Sequence, residues 1–292
     1  MINFIQQLIN GLSLGSIYAL MALGYTMVYG IIGLINFAHG DIYMVGAFVG
    51  YGLVTRVGLG VFPSIIISMI FTAILGVIIE RVAYKPLRKS TRIAALITAI
   101  GVSYLLQNVM IYFMGPEVRA FPTELSNQRF SLGPISISSQ QLLIFGVTLV
   151  LMLALQYIIK NTRMGQAMRA VSVDADAARL MGINVDSVIS FTFALGSALA
   201  GAGGVLVGIY YNSISPLMGV TPGIKAFVAA VLGGIGSVPG AMLGGILIGL
   251  VETFTAMIGL STWKDAVVYF ILIIILVIKP TGLLGKSSKE KV

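Results

Sequence analysis

Several polar side chains lie inside otherwise apolar runs and could do chemistry there: Asn36, His39 and Asp41 in one run, Gln107 and Asn108 in a second, Glu252 in a third. Groups at such positions line a path, relay protons or bond across helices. Within Asn36-Phe37-Ala38-His39-Gly40-Asp41, Asn36 is placed to cap a helix, and His39 and Asp41 fall in its first turn or two. The helix dipole favours a carboxylate there. A histidine beside an aspartate is read first as a mutually satisfied pair rather than a proton relay. A proton-driven carrier needs carboxylates deep in its spans. Here Glu252 is the main candidate, with Asp41 and Glu80 nearer the span ends. That shortage argues against ion-driven transport.

Enzyme chemistry has little to stand on. No Ser, His and Asp grouping, no paired metal ligands and no dinucleotide-binding glycine pattern occurs in a strand-to-helix context. Cysteine is absent, which removes disulfides, thiolate nucleophiles and Cys-based metal sites. Gly285-Lys286-Ser287 looks like the end of a phosphate loop, but that pattern needs a glycine where Pro280 stands. The expectation is a chain that is not an enzyme and binds no cofactor, so that any ATP is handled by another chain.

The elements that position these residues are apolar. Of 292 residues, 58% are hydrophobic and 10% charged, and the mean hydropathy is +1.00. That composition describes a polytopic membrane protein, an all-α transmembrane bundle. About twenty apolar residues cross the hydrocarbon, and the gaps between charges place spans near residues 5–29, 38–54, 63–84, 93–114, 140–159, 188–211 and 266–278. The stretch 223–258 is too long for one span and is interrupted by Gly233, Gly234, Gly236, Pro239 and Gly240. It divides into a short re-entrant half-helix and a full helix, giving about eight spans in all. Unwound backbone at membrane depth must lie inside the bundle, where protein or a water-filled cavity satisfies it. Small residues four apart, such as Gly46 with Gly50, Gly204 with Gly208, and Gly240 with Gly244, allow helices to approach closely.

One long polar island remains, Lys160 to Ser187. Met164, Met168, Val171, Ala175 and Ala178 recur at steps of three and four, so one face is apolar and small while the other is charged. Asp174 can cap a helix through the amides of Asp176 and Ala177, and Gly182 supplies the stop. Two short helices that break near Ser172 are expected. The segment is either a surface-lying amphipathic stretch without a partner or a docking element for a soluble protein.

The net charge of +8 comes from Lys and Arg gathered mainly in 81–92, 160–179 and 279–291. It is a topology signal rather than a nucleic-acid footprint. Basic loops on the cytoplasmic side put the N-terminus outside, the C-terminus inside, and the connector 115–139 on the external face. The first apolar run begins at once, without the basic region and cleavage site of a signal peptide, and is expected to remain as a span.

Gly33-Leu-Ile-Asn-Phe-Ala-His-Gly-Asp41, Gly165-Gln-Ala-Met-Arg-Ala170, Ala177-Ala-Arg-Leu-Met-Gly-Ile-Asn184, Ala198-Leu-Ala-Gly-Ala-Gly-Gly204 and Gly233-Gly-Ile-Gly-Ser-Val-Pro-Gly240 occur in that order. Together they resemble the LivH-type permease subunits of branched-chain amino acid ABC transporters. The resemblance covers essentially the whole chain as a single transmembrane domain, 1–292, with 160–187 as a cytoplasmic coupling loop. It implies a bacterial inner-membrane importer of leucine, isoleucine or valine that works by alternating access. The implied partners are a LivM-type permease subunit, two cytoplasmic ATPases that use ATP and Mg, an extracytoplasmic substrate-binding protein and membrane lipid, with no nucleic acid. Gly165, Arg169, Asp174, Ala177, Ala178 and Gly182 would form the ATPase-coupling segment. Asn36, His39, Asp41, Asn108 and Glu252 would belong to the translocation path. Similar permeases move urea, short amides or other amino acids, and a stand-alone secondary carrier or channel is the rival of another class.

The orientation is testable because no native cysteine interferes. A cysteine replacing Ser126 should react with an impermeant reagent from outside, and one replacing Ser288 only after permeabilisation; the reverse pattern would invert the topology.

Overall fold

The computed structural model describes residues 2–88, 90–122, 128–132 and 135–285. Ser126, Lys286, Ser287 and Ser288 lie outside them. Apolar runs with proline confined to the first turn fold as helices, and two short polar helices, α6 and α7, join them: α1 (Ile2–Ile32), α2 (His39–Arg56), α3 (Val61–Ile79), α4 (Arg92–Met114), α5 (Ser139–Asn161), α6 (Arg163–Val173), α7 (Ala175–Leu180), α8 (Val185–Tyr211), α9 (Val220–Gly233), α10 (Val238–Met257) and α11 (Lys264–Ile278). Among the described residues, seven helices are long and apolar enough to cross a membrane. α2, with Asp41, Arg56 and four glycines, is not among them, although its sequence was expected to span. It is an interior helix with most of its residues buried. The expected polytopic helical bundle is the observed architecture.

Burial sorts the helices into layers. The most apolar stretches of α1 and α8 are 78% and 83% buried, whereas those of α4 and α11 are 17% and 6% buried. The central pair is wrapped by α2, α3, α9 and α10, and glycine sets the spacing. A Cβ on Gly204 of α8 would stand 2.1 Å from the Tyr43 carbonyl oxygen of α2, and one on Gly245 of α10 would stand 2.4 Å from the Ala19 Cα of α1. Backbones this close leave no room for a side chain, which is what small residues four apart provide.

Two interruptions shape the interior. α1 stops at Gly33, which has φ 69°, and the chain turns back through residues 34–38 into buried α2. α9, at 14 residues, spans about 21 Å, short of the ~30 Å hydrocarbon core. It ends where Gly234 and Gly236 take φ of 106° and 87°. The freed carbonyls of Leu232 and Gly233 accept the amides of Leu283 and Leu284, each at 2.9 Å. The segment after α11 thus closes the break with backbone hydrogen bonds, as an interruption inside a bundle requires.

At the opposite end, the connector 115–139 contains β2 (Arg129–Leu132) antiparallel to β3 (Ile135–Ser138), while β1 (Arg119–Ala120) pairs with β4 (Ser213–Ile214) after α8. Ser138 and Gln141 then form a reciprocal capping box for α5.

Gly204→Ala should lower the melting temperature of the purified protein, because the added methyl meets backbone that cannot rotate away; overpacking of this kind costs about 1–3 kcal/mol. Gly101→Ala in α4, with nothing within 4 Å of the added Cβ, should leave it unchanged or raise it. Equal melting temperatures for the two variants would contradict the packing account.

Candidate functional site

The polar segment 160–187 folds as its caps dictate. Thr162 accepts the Gly165 amide at 3.0 Å to start α6. Asp174 accepts the amides of Asp176 and Ala177, each at 2.9 Å, to start α7. Gly182, at φ 83°, ends the turn, and the Ile183 amide bonds the Ala178 carbonyl at 3.0 Å. Gly165 and Arg169 act within this chain: a Cβ on Gly165 would lie 2.3 Å from the Ile158 and Ile159 carbonyls, and Arg169 donates to the Ile159 carbonyl. Both fix α6 against the end of α5.

Ala178 corrects the sequence reading. With Met168 and Val171 it is buried against the protein itself, so it is not part of the surface open to a partner. The periodicity located an apolar face without telling what covers it. The exposed apolar side chains are Val173, Leu180 and Met181, at 87%, 89% and 82%, with Ala177 exposed beside them.

An ion network ties this segment to the bundle. Asn184 caps α8 by accepting the Ser187 amide at 3.1 Å, and Asp186 pairs with Lys85 at 2.8 Å and Arg88 at 2.5 Å. Arg88 also pairs with Glu80, which is fully buried and accepts the Ser190 hydroxyl at 2.6 Å. Glu80 opens a π-helical turn after α3, Glu80–Tyr84, and the Arg88 guanidinium neutralises it there.

The Asn36 to Asp41 motif sits where the chain turns back into α2. Asn36 does not cap α2, whose N-cap is Ala38. Its side-chain carbonyl accepts the Ala38 amide at 3.1 Å and the Tyr84 hydroxyl at 2.9 Å, which holds the turn. The expected His39 and Asp41 pair does not form. Residues two apart on a helix point in different directions: Asp41 accepts from Gln107 of α4 at 3.0 Å, while His39 packs edge-on to Tyr25 with its Nε2 buried and without a partner among the described residues. Asp41 and Gln107, with Ser103, Gly219, Gly223 and Ile224, line a groove of about 230 Å³ between α2, α4 and α9. Asn108 does not reach it; it is exposed on the outer side of α4 and bonds the Tyr104 carbonyl of its own helix at 2.8 Å.

On the other flank of α9 lies a cluster that the motif reading missed. Lys225 is buried and pairs with Glu252 of α10 at 3.0 Å and Asp265 of α11 at 2.6 Å. Glu252 also pairs with Lys264 at 2.9 Å and accepts the Tyr18 hydroxyl of α1 at 2.9 Å. The four charges and Tyr18 edge a cavity of about 330 Å³ that reaches Val118 and Ser213 to Ser215 at the β1–β4 end. The available signal was a lone lysine between Asp186 and Glu252, since a membrane-depth carboxylate needs a cationic partner. Losing one member of such a buried pair costs about 3–5 kcal/mol.

The family model for the permease component of branched-chain amino acid transport systems matches residues 7–276. The high-affinity branched-chain amino acid transport system permease protein BraD of Pseudomonas aeruginosa is 46% identical over 99% of this chain and 98% of its own length. The corresponding protein LivH of Escherichia coli K12 is 45% identical over the same shares. Among solved structures, PsaBC from Streptococcus pneumoniae in complex with Fab superposes with a TM-score of 0.51, covering 93% of this chain and 91% of that one. At 16% identity that likeness shows the fold alone. The matched span contains the polar segment, the re-entering turn and the charged cluster, and the chain belongs to the family of permease components of branched-chain amino acid transport systems.

Proposed function

We propose that this chain is the permease subunit of an ATP-driven importer of branched-chain amino acids. The observation that carries the reading is full-length identity of 45–46% to relatives named as high-affinity permeases for those substrates. In this reading the chain moves substrate and hydrolyses nothing; ATP and Mg are used by two ATPase partners, and a binding protein delivers substrate. A LivM-type subunit completes the permease pair. The chain is one transmembrane domain of the bacterial inner membrane, with its N-terminus outside and its 160–187 loop and C-terminus in the cytoplasm. Its substrate path runs by the two polar sites that flank α9, one holding Asp41 and the other Glu252. Asn36 and His39 brace the turn from α1 into α2, and Asn108, exposed on α4, lies outside both sites.

The carboxylates favour this reading over a proton-driven carrier. Among the described residues, Glu80 is paired with Arg88 and Glu252 with two lysines, while Asp41 is bonded by Gln107. A proton relay needs a carboxylate whose charge is free to come and go.

In the coupling loop, Val173, Ala177, Leu180 and Met181 form the surface that enters an ATPase cleft, while Gly165, Arg169, Asp174, Ala178 and Gly182 hold that surface in shape. Leu180→Glu should leave the amount of permease in the membrane unchanged yet remove the co-purifying ATPase, since an unpaired charge in a packed contact costs several kcal/mol, about 3–5. Ala178→Glu should instead reduce the folded permease itself. Wild-type ATPase retention by the Leu180 variant, measured on affinity-purified complex, would overturn the coupling assignment.

A further inference from the structure

The cavity beside α9 combines charge of both signs with an apolar wall. Lys225 and Lys264 supply two positive charges and Glu252 and Asp265 two negative ones, so the cluster is neutral. An ammonium has three N–H donors. Among the described residues, Lys225 has two ion-pair partners and Lys264 has one, which leaves donors on both for a further acceptor. Asp265 remains 42% exposed and can accept from a second cation. The other walls come from Tyr43, Val207, Ile214, Met218 and Pro222.

Tyr43 is a second, independent pointer to a ligand. It is fully buried, it lines this cavity, and its hydroxyl has no partner among the described residues. A buried hydroxyl without a partner costs free energy that a bound acceptor would recover. The volume of about 330 Å³ is in the range of small-molecule sites, roughly 300–1,000 Å³.

We propose that this cavity binds the charged end of a zwitterionic amino acid: Lys225, Lys264 and the Tyr43 hydroxyl take its carboxylate, Asp265 and Glu252 take its ammonium, and the apolar wall takes an aliphatic side chain. The choice of an aliphatic amino acid rests on the function proposed above. A ligand that carries both charges enters a neutral cluster without adding net charge, whereas an amine or an acid leaves one sign uncompensated where burial makes that costly. The opening beside Val118 and Ser213 lies on the side assigned to substrate delivery.

The test is direct binding of labelled isoleucine to the intact complex in lipid nanodiscs without binding protein. Competition is measured against the amine and the carboxylic acid that carry the same side chain. Both competitors should be weaker than isoleucine by about tenfold or more, the equivalent of one charge-assisted contact. Lys225→Met combined with Glu252→Gln removes one buried charge of each sign and leaves Lys264 and Asp265, which are 38% and 42% exposed and of opposite sign, so it should fold. If the cluster recognises ligand, this double variant still loses about tenfold in affinity or more; if the cluster is structural only, it binds like wild type, and the proposal fails. Tyr43→Phe removes one hydroxyl and carries the same test should the double variant be unstable: weaker binding supports the site, and unchanged binding overturns it. Isoleucine uptake by the complete system is measured alongside. Uptake without binding here would overturn the site and leave the transport reading standing, whereas zwitterion binding without uptake would do the opposite.

Discussion

A lysine ammonium buried among helices is tolerable only while carboxylates stay within reach, and Lys225 meets that condition through Glu252 of α10 and Asp265 of α11. These contacts hold a helix too short to cross a bilayer against two that are long enough. α9 in turn divides the interior, with the groove of Asp41 and Gln107 on one flank and the charged cavity on the other. Both polar sites therefore depend on where one ion cluster sets one half-helix. Replacing only one of its charges leaves another uncompensated, so the cluster behaves as a unit.

Glycine contacts supply the rigid frame around that cluster. α8 is a continuous helix whose first turn is tied by Asp186 to Lys85 and Arg88 and whose Gly204 lies directly on the Tyr43 carbonyl of α2. The polar segment 160–187 leads straight into α8, and α2 carries both Asp41 and Tyr43. The exposed apolar surface of Val173, Leu180 and Met181 is thus joined to the residues of both sites by packed backbone rather than by a loop. Interfaces packed this closely shift as bodies instead of deforming continuously.

Much of this arrangement was legible in the sequence, because its causes are local. The cap at Asp174, the stop at Gly182 and the break at Gly234 to Gly236 follow from side-chain and backbone chemistry within a few residues. The polytopic helical bundle follows from charge-free length. What failed was partner choice across helices. His39 and Asp41 are near in sequence but point apart, so Asp41 is bonded by Gln107, 66 positions away. Ala178 shares an apolar face with its neighbours, yet periodicity does not say whether the same chain or another one covers that face. Lys225 stood alone in an apolar run, and its partners lie on helices whose mutual packing no local pattern specifies.

The central claim, that separate ATPases drive this permease, is tested most directly by isoleucine accumulation in proteoliposomes that contain the whole complex with ATP inside and binding protein outside. The account predicts accumulation that requires hydrolysable ATP and is unchanged when an uncoupler collapses the proton gradient. Accumulation that proceeds without ATP, or that disappears with the uncoupler while ATP is held constant, would contradict it.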